Sequence, residues 1–142
     1  MKPVSVLLAR QAVPVCRIRP DDTVFSALQL LAQHEVGALV VMEGDKLVGV
    51  ISERDYTRKV ALQGKNSKDT QVDSIMTRNV MVVSPSTGTR VCMAIMREKK
   101  IRHLPVVDEG RVVGMISIRD ILDDLLEEHE FTIAQLESYI AS

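Results

Sequence analysis

The chain has 142 residues, 46% of them hydrophobic and 26% charged, which is enough apolar material for one real core and excludes a disordered chain. A formal net charge of -1 gives no general attraction to phosphate backbones or anionic membranes, and with 3% aromatic residues and no tryptophan there is little to stack single-stranded nucleic acid. The apolar runs have strand length and fall far short of a membrane span.

Residues 1–14, MKPVSVLLARQAVP, carry one Lys and a short apolar patch without a small-residue cleavage site, so they predict a short first helix and a cytoplasmic protein. Residues 13–18 then predict a strand, Pro20-Asp21-Asp22 a turn, and residues 23–33 a helix with Val24, Ala27, Leu28 and Leu31 on one face. Two apolar strands follow, residues 38–42 and 46–52, joined by Glu43-Gly44-Asp45, and a helix runs from Glu53 to about Gln63. Residues 64–70 read as a polar loop and residues 72–76 as a short helix.

The same order then returns. Displaced by 65 positions, residues 15–56 align with residues 80–121 without a gap: Pro20 meets Pro85, Leu39 meets Leu104, Val41 meets Val106, and GVISERD at 49–55 meets GMISIRD at 114–120. The second hairpin is residues 103–107 and 111–117, and the last helix starts at Ile118. A long period present only twice points to a pseudo-symmetric pair rather than an array. The fold class is therefore α/β (α+β), two β-α-β-β-α repeats over residues 1–66 and 67–128, with a helical extension over residues 129–142.

Ser52-x-x-Asp55 and Ser117-x-x-Asp120 fit capping boxes, in which Ser and the acid satisfy free N–H groups at a helix start. Capping leaves Arg54 and Arg119 unexplained, because a cation in the first helical turn opposes the macrodipole by roughly 0.3–1 kcal/mol. An anion would offset that cost, since a helix N-terminus with an Arg beside it suits phosphate. Asp55 and Asp120 would then accept hydrogen bonds from the vicinal hydroxyls of a ribose. From the residues alone, nucleotide binding and plain capping both stand.

The doubled unit, with VGALVVMEGDKLVGVISERDY at 36–56 and IRHLPVVDEGRVVGMISIRDIL at 101–122, resembles a tandem pair of CBS (cystathionine β-synthase) domains, a Bateman module of the stand-alone bacterial type. The resemblance spans about residues 4–126. It implies a regulatory, signal-transduction module that takes AMP, ADP, ATP, NAD or S-adenosylmethionine between the repeats and acts on a separate partner. By that similarity Asp55 and Asp120 take ribose hydroxyls, with Ser52, Ser117, Arg54 and Arg119 near ribose and phosphate. Arg102 and His103 stand where the family often aims basic residues at phosphate, while their counterparts Gly37 and Ala38 offer backbone and space. Thr77, Asn79, Val80 and Met81 match a segment that lines an adenine pocket, and residues 12–15 correspond in the first repeat. Because Arg102 and His103 share a repeat with Asp120, the second-repeat site is expected to hold phosphate more strongly.

An interaction or scaffold protein without a nucleotide is the alternative. No nucleophile elbow, P-loop or G-x-G-x-x-G is present, so no catalytic residues are assigned and the chain is not expected to be an enzyme. The three histidines are too dispersed for a metal site, His34 and His129 are given no role, and Cys16 and Cys92 are expected as buried free thiols. From Ile118 to Ile140 an apolar stripe, Ile118, Ile121, Leu122, Leu125, Leu126, Ile133, Leu136 and Ile140, exceeds what two repeats need. With residues 53–68 at net +3 and residues 118–130 at net -5, a head-to-tail homodimer is expected.

Overall fold

The computed structural model describes residues 2–11 and 14–141, so Ala12 and Val13, the start of the expected first strand and of its adenine-lining segment, lie outside the described residues. Helix α1 (Val4–Ala9) leads to a two-residue strand β1 (Arg17–Ile18), shorter than expected, and helix α2 (Val24–His34). Thr23 caps α2 by accepting from Ser26 N–H at 3.1 Å. Strands β2 (Ala38–Glu43) and β3 (Lys46–Ser52) form the hairpin, and β1 joins β2 in parallel to complete a three-stranded sheet.

The second half repeats this arrangement: helix α4 (Thr89–Lys99), then strands β4 (His103–Asp108) and β5 (Arg111–Ser117). Ala38 pairs with Ser52 and His103 with Ser117, and both hairpins shift register one residue after the pairing with glycine, at Val41/Met42 and at Val106/Val107. The counterpart of β1 is reduced to one parallel bridge, Val83 to Val106. Helices α2 and α4 each end on a left-handed residue, Glu35 (φ 53°) and Lys100 (φ 56°), where glycine is the usual choice.

Alternation along the strands and the 3.6-residue period of the helices bury two cores. Ile18, Val24, Ala27, Leu31, Leu39, Val41, Ile51 and Val60 fill the first; Val83, Cys92, Met96, Leu104, Val106, Ile116 and Ile121 fill the second. Each such large side chain contributes about 1.5–3 kcal/mol when fully buried. The segments before each repeat cross over: Val72, Ile75 and Met76 pack into the first core, and Val4 and Leu7 of α1 into the second. The packing units are thus interleaved along the chain. A third cluster of Val40, Met42 and Val112, with Val15, Leu47, Val107 and Met115, joins the two sheets.

The helices after the hairpins differ. Helix α3 spans only Glu53–Tyr56 and continues as a π-helical turn, Thr57–Ala61, whereas α5 runs from Ile118 to Ala141. Beyond Glu128, α5 does not fold back onto its own domain: residues 129–140 are exposed, Phe131 and Ile133 among them. Among the described residues no helix is long and apolar enough to cross a membrane. Cys16 is half-buried, Cys92 is buried, and both are free thiols.

Candidate nucleotide-binding cleft

Both capping boxes form. Ser52 N–H donates to Asp55 Oδ2 at 2.9 Å and Asp55 N–H to Ser52 Oγ at 3.2 Å; the second repeat gives 2.8 Å from Ser117 N–H to Asp120 Oδ2 and 3.1 Å from Asp120 N–H to Ser117 Oγ. The two carboxylates are otherwise engaged differently. Asp55 Oδ2 also accepts from Ser52 Oγ at 3.0 Å, and Lys59 Nζ stands 3.2 Å from Oδ1. A carboxylate has about four acceptor positions, so Asp55 retains one for a ligand hydroxyl. Asp120 Oδ2 instead takes a hydrogen bond from Gln11 Nε2 at 3.3 Å, a group from its own N-terminal segment.

A cleft of about 940 Å³ opens beside the first motif. One wall is the β3–α3 junction, with Val50, Ser52, Arg54 and Asp55, continued by Thr57, Arg58 and Lys59 of the π-helical turn. The facing wall is the extended segment Thr77, Asn79, Val80 and Met81, held to the edge of β3 by paired hydrogen bonds between Val50 and Thr77 at 2.9 and 3.0 Å. The end of α4 closes the cleft with Lys99, Lys100, Ile101, Arg102 and His103. Arg54 Nη1 reaches across it to donate to the Lys100 carbonyl at 3.4 Å.

Two glycines lie in close contact with the cleft walls. A Cβ at Gly37 would lie 3.1 Å from Cε1 and Nε2 of His103, so the missing side chain is what lets the imidazole lie there. A Cβ at Gly49 would lie 2.6 Å from Met76 Sδ and 2.9 Å from the Thr77 carbonyl, which explains how the 77–81 wall comes so near the strand. Burial holds the His103 pKa below the usual imidazole value; the Asp120 charge opposes this and Arg102 adds to it. His103 is therefore neutral near pH 7 and offers a hydrogen bond rather than a positive charge.

Around one cleft stand six basic side chains, Arg54, Arg58, Lys59, Lys99, Lys100 and Arg102, against two acidic ones, Glu53 and Asp55. Low-dielectric walls concentrate such a field, so the cleft attracts an anion. Val50, Val80, Met81 and Ile101 supply an apolar surface beside it, and Asp55 an acceptor between the two.

Of the residues expected from the sequence, Gly37, Ser52, Arg54, Asp55, Thr77, Asn79, Val80, Met81, Arg102 and His103 gather here. Ser117, Arg119, Asp120 and Ala38 are not among the residues lining this cleft, and Ala38 is buried in β2. Arg102 and His103 line the same cleft as Asp55 although they share a repeat with Asp120, whose charge His103 also feels. Each hairpin joins its strand start to its own repeat's motif, Ala38 to Ser52 and His103 to Ser117, and the facing of the two repeats brings Arg102 and His103 to the first cleft, an arrangement with no signature in linear order. Arg58, Lys59, Lys99 and Lys100 were missed as site residues; their signal was the excess of basic residues over 53–68 and the Lys99-Lys100 pair just before Ile101-Arg102-His103.

The doubled α+β unit with its sheets packed together and a cleft between the halves is the architecture of a Bateman module. The CBS-domain family matches twice, over residues 10–62 and 72–127, and the chain belongs to that family as a tandem CBS pair. It is 42% identical over 125 residues to the mitochondrial CBS domain-containing protein CBSX3 of Arabidopsis thaliana, covering 84% of this chain but only 61% of the plant protein's length. Among solved structures, the CBS domain NE2398 is 46% identical with a TM-score of 0.83, covering 88% of this chain and 98% of that one. Two further neighbours carry ligands. The CBS domain protein PAE2072 from Pyrobaculum aerophilum, complexed with AMP, is 28% identical with a TM-score of 0.74 over 84% of this chain and 89% of its own. The CBS domain pair of protein MJ0100, in complex with 5-methylthioadenosine and S-adenosyl-L-methionine, is 25% identical with a TM-score of 0.79 over 90% and 98%.

Proposed function

We propose that the chain is a regulatory module that binds an adenosyl nucleotide, AMP, ADP, ATP or NAD, in the cleft beside Ser52–Asp55 and transmits its occupancy to a separate protein. The observation that carries this is the convergence of six cations and the Asp55 carboxylate on one cleft with an apolar wall. Asp55 would accept a ribose hydroxyl, the 77–81 wall and Ile101 would contact the base, and Arg54, Arg102 and the lysines would face the phosphates. The AMP-bound relative supports a ligand of this class. The cationic sulfonium of S-adenosylmethionine fits the field less well than a phosphate does.

The module is proposed to be non-catalytic and cytoplasmic, with repeats over residues 1–66 and 67–128 and an extension over residues 129–142. The exposed stripe Leu122, Leu126, Ile133, Leu136 and Ile140 of α5 supports a second copy of the chain as one partner.

Thermal denaturation with millimolar AMP, ADP, ATP, NAD and S-adenosylmethionine tests the proposal. A ligand at a hundred times its Kd stabilises by about 2.7 kcal/mol. A clear rise in Tm with a phosphate-bearing member is expected; no rise with any would leave the scaffold alternative standing.

A further inference from the structure

The internal symmetry gives the cleft residues within the aligned spans a counterpart 65 positions away. Helices α2 and α4 have equal length, both end on a left-handed residue, and the two hairpins share one register. Carried across, Lys99 and Lys100 become His34 and Glu35, and Glu53 becomes Ile118; the π-helical turn that carries Arg58 and Lys59 has no equivalent in α5, which bears Asp123 and Asp124 over that stretch. Arg54 keeps a cation in Arg119, and Gly37 and Arg102 exchange places. Within the matched positions, four cations, Arg54, Lys99, Lys100 and Arg102, and two acids, Glu53 and Asp55, are thereby replaced by two cations, Arg119 and Arg102, and two acids, Glu35 and Asp120. A phosphate placed there would find none of the positive excess of the first cleft.

The N-terminal segment also occupies that side. Gln11 Nε2 donates to the Met115 carbonyl at 2.9 Å and to Asp120 Oδ2 at 3.3 Å, so the segment lies against the second motif. The segment is pinned by Lys2 and Arg10, which reach Asp124 Oδ1 at 2.6 and 3.0 Å; Asp124 is only 2% exposed. Leu8 packs so closely on Gly114 that a Cβ there would lie 2.5 Å from its Cδ2.

We infer that the chain binds one phosphate-bearing ligand, at the Ser52–Asp55 cleft, and that its own residues 2–11 serve the counterpart position, which has lost the charge to hold phosphate. This rests on the proposed nucleotide-binding function and fixes the number and place of its sites. The repeated motif at Ser117–Asp120 is then a helix cap alone.

Calorimetric titration of ADP into the full chain tests it, together with two variants that exchange one pair of counterparts. Lys100→Glu and Glu35→Lys both place a residue type that the other repeat already carries in the same left-handed conformation. The wild type should bind one ADP per chain. Lys100→Glu should weaken binding about tenfold, and Glu35→Lys should leave affinity within about twofold with one site. Two ADP per wild-type chain, or Glu35→Lys perturbing binding as much as Lys100→Glu, would overturn the inference while leaving nucleotide binding itself intact. Absence of ADP binding at any stoichiometry would instead remove the function on which it rests. The stoichiometry of the wild type needs no variant to fold.

Discussion

Gly49→Ala and Gly114→Ala make the same change at equivalent positions, yet their consequences should differ. At Gly49 the new methyl would meet Met76 Sδ at 2.6 Å and, at 2.9 Å, the Thr77 carbonyl oxygen. That carbonyl is itself the acceptor for Val50 N–H at 3.0 Å, and Thr77 N–H donates back at 2.9 Å, so backbone must move and both bonds must lengthen. Overpacking of this kind costs about 1–3 kcal/mol, which at about 3 °C per kcal/mol for a chain of this size lowers Tm by roughly 3–9 °C. The displaced segment is the 77–81 wall, so ADP binding should weaken as well. At Gly114 the close atoms all belong to the Leu8 side chain, and a change of rotamer relieves much of the clash. Gly114→Ala should therefore cost less than half as much and leave ADP affinity unchanged. Thermal denaturation and calorimetry of both variants decide this. Equal destabilisation, or a Gly49→Ala protein with undisturbed ADP binding, would refute the argument that backbone approach at Gly49 sets the cleft wall.

Asp124→Ala should destabilise by roughly 3 kcal/mol in urea unfolding, the low end for a broken buried pair because Lys2 and Arg10 can rehydrate. Burial pushes the Asp124 pKa up, but Lys2 and Arg10 outweigh it and hold the carboxyl below its ordinary value, so this stability is present above about pH 4 and is lost as pH falls through the lowered folded pKa; the variant should show a flatter decline there. The lowered His103 pKa acts in the same direction but nearer neutrality: the unfolded chain takes up its proton first as pH falls through about 6.5, so stability declines from there, and His103→Gln should remove part of that decline between pH 7 and 5. Sedimentation of the full chain at micromolar concentration should show a dimer that a chain truncated after Glu128 does not form; equal dimerisation of both would take the exposed end of α5 out of the interface.

The doubled hairpin, its register and both long helices were legible because glycine, apolar alternation and the 65-residue repeat all report local patterning. The capping boxes were legible for the same reason, being contained within four residues. What the linear order did not reveal was crossing. Val72, Ile75 and Met76 complete the core of the preceding repeat, and α1 packs on the second repeat, contacts between segments far apart in sequence. The packing of α1 on the second repeat lets Gln11 reach Asp120, and the facing of the two repeats brings Arg102 and His103 to the cleft of Asp55. The divergence of the helices after the hairpins was also hidden, since the π-helical turn that presents Arg58 and Lys59 follows a motif nearly identical to the one that starts α5.

The most direct test of the central claim is backbone hydrogen exchange of the full chain with and without saturating ADP, because it locates the ligand without altering any residue. Protection is predicted in residues 50–59, 77–81 and 99–103, the three walls of the cleft, with residues 115–120 unchanged. Protection confined to residues 115–120, or absent from all three walls despite bound ADP, would contradict the account.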